Sequence, residues 1–162
     1  MIYVSLDALN SISKEVEICP NIETGGILLG KLLQNGDVLI THAIGPGPNA
    51  IRKKYEFRKD FDYAVRMLEH LYRRYSVDFL GDWHKHPTSC VNYSNKDHKS
   101  MIRIASINKK RCFFIIVGDE YNKISTNIAL YSVEADQTTV KKIPFSIIEK
   151  PEEIAQTIGF IE

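Results

Sequence analysis

His84, Lys85 and His86, followed by Ser94 and Asp97, form the stretch of this sequence best equipped for chemistry. Two histidines at i and i+2 share one face of an extended backbone, because strand side chains alternate. Residues 77–83, Val-Asp-Phe-Leu-Gly-Asp-Trp, read as a buried strand running into them, so the extended geometry is expected. Asp97 can supply a carboxylate oxygen as third ligand. Three protein ligands with a fourth position left open is the catalytic arrangement of zinc. Read with Glu23 upstream, the set spells a mononuclear zinc hydrolase site with one ion per chain.

Each of these residues also has an ordinary reading. Ser94-Asn95-Lys96-Asp97 ahead of Met101, Ile102 and Ile104 is a capping-box pattern, with Ser94 as N-cap and Asp97 in the first helical turn. The two roles are compatible, since a cap could aim Asp97 back at the histidines. Aspartate is shorter than the Glu or Gln that a capping box prefers, which favours the ligand role. Trp83 and Lys85 alternate with the histidines and face away from the metal, Trp83 as core packing. Asp82 either orients a ligand histidine or is a solvated strand-end carboxylate. Pro87 ends the strand and forces a loop over residues 88–93. Cys90 in that loop is an alternative ligand, a redox-sensitive thiol or an inert residue, the last being favoured. Gly25 and Gly26 mark a close backbone approach or a bulge. His42 and His70 read as structural, and His98 as facing solvent.

The elements that must position these groups follow from periodicity. Residues 2–4 read as a strand and 5–16 as a helix capped by Ser5 and stopped by Pro20. Residues 24–33 and 38–43 form a hairpin around Asn35-Gly36. A loop at 45–49, a strand at 53–57 and a helix at 59–75 follow. Residues 79–86 are the metal-bearing strand, 95–107 a helix, and 112–117 a central buried strand. A turn at 118–122, a strand pair at 124–133 and 138–143, and a short helix within 151–162 complete the chain. The expected architecture is α/β of the α+β type: a mixed sheet flanked by helices, in a single domain over residues 1–162.

Composition narrows the function. With 162 residues, 44% hydrophobic and 25% charged, the chain is typical of a globular protein with a full core. Twenty-one Lys and Arg against 20 Asp and Glu leave a net charge of +1, which gives no electrostatic reason to expect nucleic acid or a membrane surface as partner. No apolar run approaches membrane-spanning length, and residues 1–4 lack a signal-peptide pattern. Three cysteines, Cys19, Cys90 and Cys112, make no disulfide framework, so a reducing cytoplasm is the expected compartment.

The pattern His84-x-His86, seven residues, Ser94, two residues, Asp97, with Glu23 before it, resembles the JAMM motif of JAB/MPN-domain metalloproteases. The blocks Glu23-Thr24-Gly25-Gly26-Ile27-Leu28-Leu29-Gly30 and Gly81-Asp82-Trp83-His84-Lys85-His86-Pro87 resemble those of its compact bacterial branch. One departure is Tyr93, where many relatives carry proline. The resemblance implies a curved mixed sheet with two or three helices. It implies zinc held by His84, His86 and Asp97, Glu23 as general base, and Ser94 assisting the oxyanion. It further implies hydrolysis of an amide or isopeptide bond after the C-terminal residue of a ubiquitin-like modifier, or of an E1/E2-linked conjugate. The modifier's extended tail would pair with a strand edge, and residues 45–54 are a candidate wall. Similar small proteins serve CBASS-type antiphage systems as deconjugating isopeptidases. Processing of a ubiquitin-like or sulfur-carrier precursor, a non-catalytic MPN-type scaffold, and a DNA-repair-associated relative are the alternatives.

Overall fold

The computed structural model describes residues 1–119 and 127–158. In chain order it contains β1 (Ile2–Ser5), α1 (Leu6–Ile18), β2 (Thr24–Leu32), β3 (Val38–Ile44), β4 (Ile51–Lys53), β5 (Glu56–Arg58), α2 (Phe61–Tyr75), β6 (Asp78–Lys85), α3 (Asn95–Asn108), β7 (Cys112–Val117), β8 (Ile128–Val133), β9 (Lys141–Ile143), β10 (Ser146–Ile148) and α4 (Pro151–Ile158). Eight strands form one mixed sheet in the order β10-β1-β3-β2-β6-β7-β8-β9, so β2 and β6 lie at its centre. The architecture is the expected mixed sheet with helices, of which four are present among the described residues.

Local chemistry explains most boundaries. Ser5 Oγ accepts the Ala8 N–H at 3.1 Å and starts α1, whose Ala8, Leu9, Ile12 and Val16 are buried. Asp60 caps α2 in the same way by accepting from Tyr63 N–H at 3.1 Å, so that helix begins at Phe61 and not at residue 59. The strand expected over 53–57 is instead the two-stranded hairpin β4–β5, reversing at Lys54 and Tyr55. No Gly or Asn marks that turn, which is why the sequence reads as one strand there. β10 is a further departure: a three-residue strand parallel to β1 is too short to show a period. Residues 120–126 and 159–162, which include most of the expected turn and the first part of the expected 124–133 strand, lie outside the described residues.

The sheet has two covered faces. One packs α1 against Leu28, Ile40, Trp83, Phe113 and Ile115. The opposite face carries α2 over Ile27, Leu29 and Ile44, and α3 over Phe114, Ile116 and Tyr131. Phe79 touches both of the latter clusters and lies between the two helices. No described helix is long and apolar enough to cross a membrane.

Close backbone approach sets the spacing of the central strands. A Cβ on Gly26 would lie 1.8 Å from the Ile44 carbonyl oxygen, so only glycine lets β2 and β3 meet there. The bulges lie elsewhere, where Thr41 in β3 and Leu80 in β6 are the extra residues opposite β2. Gly81, beside the second bulge, has φ +151°, and its Cβ would meet the Phe113 oxygen at 1.8 Å. Gly26→Ala and Gly81→Ala are each expected to destabilise by at least about 2 kcal/mol in urea unfolding. Wild-type stability in either variant would contradict this strand spacing.

Candidate metal centre

The β2–β6 ladder places the chemistry. Gly25 pairs with His84 and Thr24 with Lys85, so Glu23, one residue before β2, is carried to the same end of β6 as the histidines. His84 faces the α2–α3 side. His86 lies just past β6, but its N–H donates to the Val117 carbonyl at 2.9 Å, which continues the extended run. The two Nε2 atoms stand 3.0 Å apart. His84 Nε2 is 3.3 Å from Asp97 Oδ1, and His86 Nε2 is 3.2 Å from Asp97 Oδ2.

These separations fit a zinc ion. Ligand atoms about 2.0–2.1 Å from a tetrahedral zinc stand about 3.3 Å from one another. His86 Nδ1–H donates to the Cys90 carbonyl at 2.8 Å, which leaves its Nε2 lone pair directed at the centre. The donor set is two imidazoles and one carboxylate, with ligand atoms within 4.8 Å of one another, and could hold a metal ion.

Asp97 reaches the centre because of how α3 begins. Its backbone N–H donates to Ser94 Oγ at 3.1 Å, while its Oδ2 accepts from the Ser94 N–H at 2.7 Å and from the Ser94 hydroxyl at 2.8 Å. The capping box and the ligand geometry coexist in one side chain. Burial alone would raise the Asp97 carboxyl, but the contacts with His84, His86 and Ser94 outweigh it and hold the group well below the usual carboxylate range. For His86, burial opposes protonation, while the Asp97 carboxylate and Cys90 carbonyl favour it and raise its pKa on balance.

Glu23 has the opposite character. Burial raises its pKa, partly offset by the positive potential of His84, Lys96 and His86. It lines one end of a cavity of about 680 Å³ that runs between α2 and α3, with His84, Ser94 and Asp97 at the same end. Phe61, Val65, Leu68, Ile104 and Ile107 give the rest of the cavity an apolar lining. Phe57, Arg58 and Lys59 also line the cavity, and residues 45–54 do not.

Some neighbours differ from expectation and others match it. Asp82 neither orients a histidine nor faces water; it is largely buried and forms an ion pair with Lys59. Its Oδ1 is buried without a hydrogen-bond partner among the described residues. Trp83 is core, 1% exposed, with its indole N–H donating to the Ile44 carbonyl at 2.9 Å. The Cys90 thiol is exposed and free, and that residue's contribution is its carbonyl on His86. His98 is half-buried, 3.1 Å from the Thr138 carbonyl and stacked on Tyr93. His42 contacts Thr41 and Tyr75, and His70 is an exposed residue of α2. Sequence reasoning missed Lys59 and the Cys90 carbonyl, since no spacing rule reports a main-chain acceptor four residues beyond a ligand.

The mixed sheet thus converges two imidazoles and a capped carboxylate beside a cavity with apolar walls, a set that could hold a metal ion. The chain belongs to the prokaryotic JAB-domain family, whose model, described as prokaryotic homologs of the JAB domain, matches residues 5–131. It is 29% identical over 91 residues to a probable metalloprotease of Sinorhizobium fredii, covering 55% of this chain and 56% of that protein. It is 28% identical over 102 residues to a CD-NTase/cGAS isopeptidase of Enterobacter hormaechei, covering 60% of this chain and 56% of that protein. The matches thus span a little over half the length of these curated relatives. In fold it is similar to a Desulfitobacterium hafniense protein solved in solution, with a TM-score of 0.70, 14% identity and coverage of 92% and 94% of the two chains. It is also similar to the crystal structure of a JAB1/MPN domain protein from Archaeoglobus fulgidus, with a TM-score of 0.53, 13% identity and coverage of 92% and 98%.

Zinc titration of the purified chain should reach one equivalent. If His84, His86 and Asp97 hold the ion, His84→Ala or Asp97→Ala should abolish stoichiometric binding, because each removes one of three ligands. Cys90→Ser should leave binding unchanged; a loss there would place the thiol in the ligand set.

Proposed function

We propose that this chain is a zinc-dependent isopeptidase or peptidase that releases a ubiquitin-like modifier from a protein conjugate. The observation that carries this reading is the convergence of His84, His86 and Asp97 at one end of an apolar groove that Glu23 also lines. A zinc ion held by those three residues would supply Lewis acidity and lower the pKa of a water to about 7. Glu23 takes the proton from the attacking water and returns it to the leaving amine. The rise in its pKa caused by burial suits a group that must both accept and release a proton. The Ser94 hydroxyl, which donates to Asp97 Oδ2, turns its proton toward the developing oxyanion. No covalent intermediate on the protein is needed.

An extended C-terminal tail fits the groove between α2 and α3, with its scissile carbonyl at the Glu23 end. Residues 1–162 act in this reading as one JAB/MPN-like unit in the cytoplasm. The Enterobacter relative, named a CD-NTase/cGAS isopeptidase, supports the isopeptidase kind; reversal of conjugation within an antiphage system of the CBASS kind is the finer part of this proposal. The alternative is trimming of a ubiquitin-like or sulfur-carrier precursor, which needs the same centre and differs only in the bond presented to it.

Glu23→Gln should retain one zinc and lose about 10²-fold or more in turnover. Cells expressing this variant from the native operon should accumulate lysine-linked conjugates detectable by mass spectrometry. Accumulation of an uncleaved precursor instead would favour the processing alternative. Full activity in Glu23→Gln would sink the assigned mechanism.

A further inference from the structure

Lys85 lies between the two histidines in sequence and on the opposite face of β6 in space. Its side chain is completely buried. An ammonium has three N–H donors, and here each has an acceptor: the Cys19 carbonyl at 2.7 Å, the Ile22 carbonyl at 3.2 Å and the Asp119 carboxylate in an ion pair. An aliphatic side chain would fill such a place without the desolvation of a charge, so packing alone does not account for a lysine here.

What the ammonium holds is specific. Cys19 and Ile22 bracket the turn that joins α1 to β2, and Glu23 follows directly. Asn21 within that turn has φ +58°, and its N–H reaches Asp119 Oδ1 at 3.4 Å. Asp119 is itself tied to the loop after β6, its N–H donating to the Thr88 carbonyl at 2.8 Å. The Glu23 N–H donates to the Lys53 carbonyl at 2.8 Å, which anchors the other end of the turn. The metal ligands rest on different supports: the strand ladders, the Cys90 carbonyl and the Ser94 cap.

We propose that Lys85, with Asp119 as counter-ion, is a positioning residue that locks the turn at residues 19–22 and thereby sets where the Glu23 carboxyl stands over the metal ligands. The proposal rests on Glu23 as the proton acceptor for its kinetic test but not for its structural one. Without the ammonium, two buried carbonyls lose their partner and the turn loosens, while the ligand triad keeps its own supports.

The test compares Lys85→Met, which keeps the aliphatic stem, with Asp119→Asn, which keeps the shape and removes the counter-charge. Should Lys85→Met fail to fold, Asp119→Asn carries every measurement. Amide hydrogen exchange of the zinc-loaded chain should rise by about tenfold or more at residues 21–24 and stay unchanged in β6 and β7. Zinc affinity, measured by competition with a chromophoric chelator, should not change. Against the conjugate that accumulates with Glu23→Gln, kcat should fall by about tenfold with KM unchanged, and the same substitution in a Glu23→Gln background should cost nothing further. Unchanged exchange at 21–24, a parallel loss of zinc affinity, or full multiplicativity with Glu23→Gln would each overturn the proposal. If Glu23→Gln proves fully active, the functional reading fails while the exchange result still decides whether Lys85 locks the turn.

Discussion

The antiparallel pairing of β2 with β6 is the interaction on which the rest depends. It brings the start of β2 beside the end of β6, so a carboxylate and two imidazoles about 60 residues apart share one end of the sheet. Gly25 permits the approach, since a Cβ there would lie 2.3 Å from the Trp83 carbonyl oxygen. The bulge at Leu80, beside Gly81, then resets the register within β6. Alternation along β6 divides its residues between two environments. Trp83 and Lys85 enter the face covered by α1, and Asp82 and His84 enter the face covered by α2 and α3. Each strand residue here has one task because its neighbours take the other side.

Polar burial is concentrated around this pairing. Lys85, Thr24 and Ser5 are among the few polar side chains almost wholly withdrawn from solvent, and each has hydrogen-bond partners. Thr24 donates to Glu15 at 2.7 Å, and Arg52 donates to the same carboxylate oxygen at 2.9 Å. A network of this kind stabilises little beyond what an apolar core would give, but it specifies one arrangement. The specified arrangement is that of α1, the following turn and the β4–β5 hairpin around Glu23.

Much of this was legible in the sequence. The alternation of His84 and His86, the hairpin at Asn35-Gly36 and the Ser5 cap follow from local rules, and the structure contains all three. The structure also brings Glu23, His84, His86, Ser94 and Asp97 to one place, as the motif spacing anticipated. What could not be read depends on contacts distant in sequence. Asp82 read either as a histidine's partner or as a solvated strand-end carboxylate because its actual partner, Lys59, lies on a separate segment. The β4–β5 reversal has no glycine to announce it, and β10 exists only because β1 offers an edge. Alternation predicted correctly that Lys85 faces away from the histidines, yet no periodicity reveals that it would be sealed against the end of α1.

Asp97 answers to two demands that pull apart. As the third residue of α3 it closes a capping box, a task that glutamate performs better. As a neighbour of His84 and His86 it places its two oxygens 3.2–3.3 Å from their Nε2 atoms, a reach set by its short side chain. Selection for helix stability alone would therefore drive this position toward glutamate, and selection for the centre would hold it at aspartate. The short carboxylate at the head of α3 is the one that suits the proposed centre.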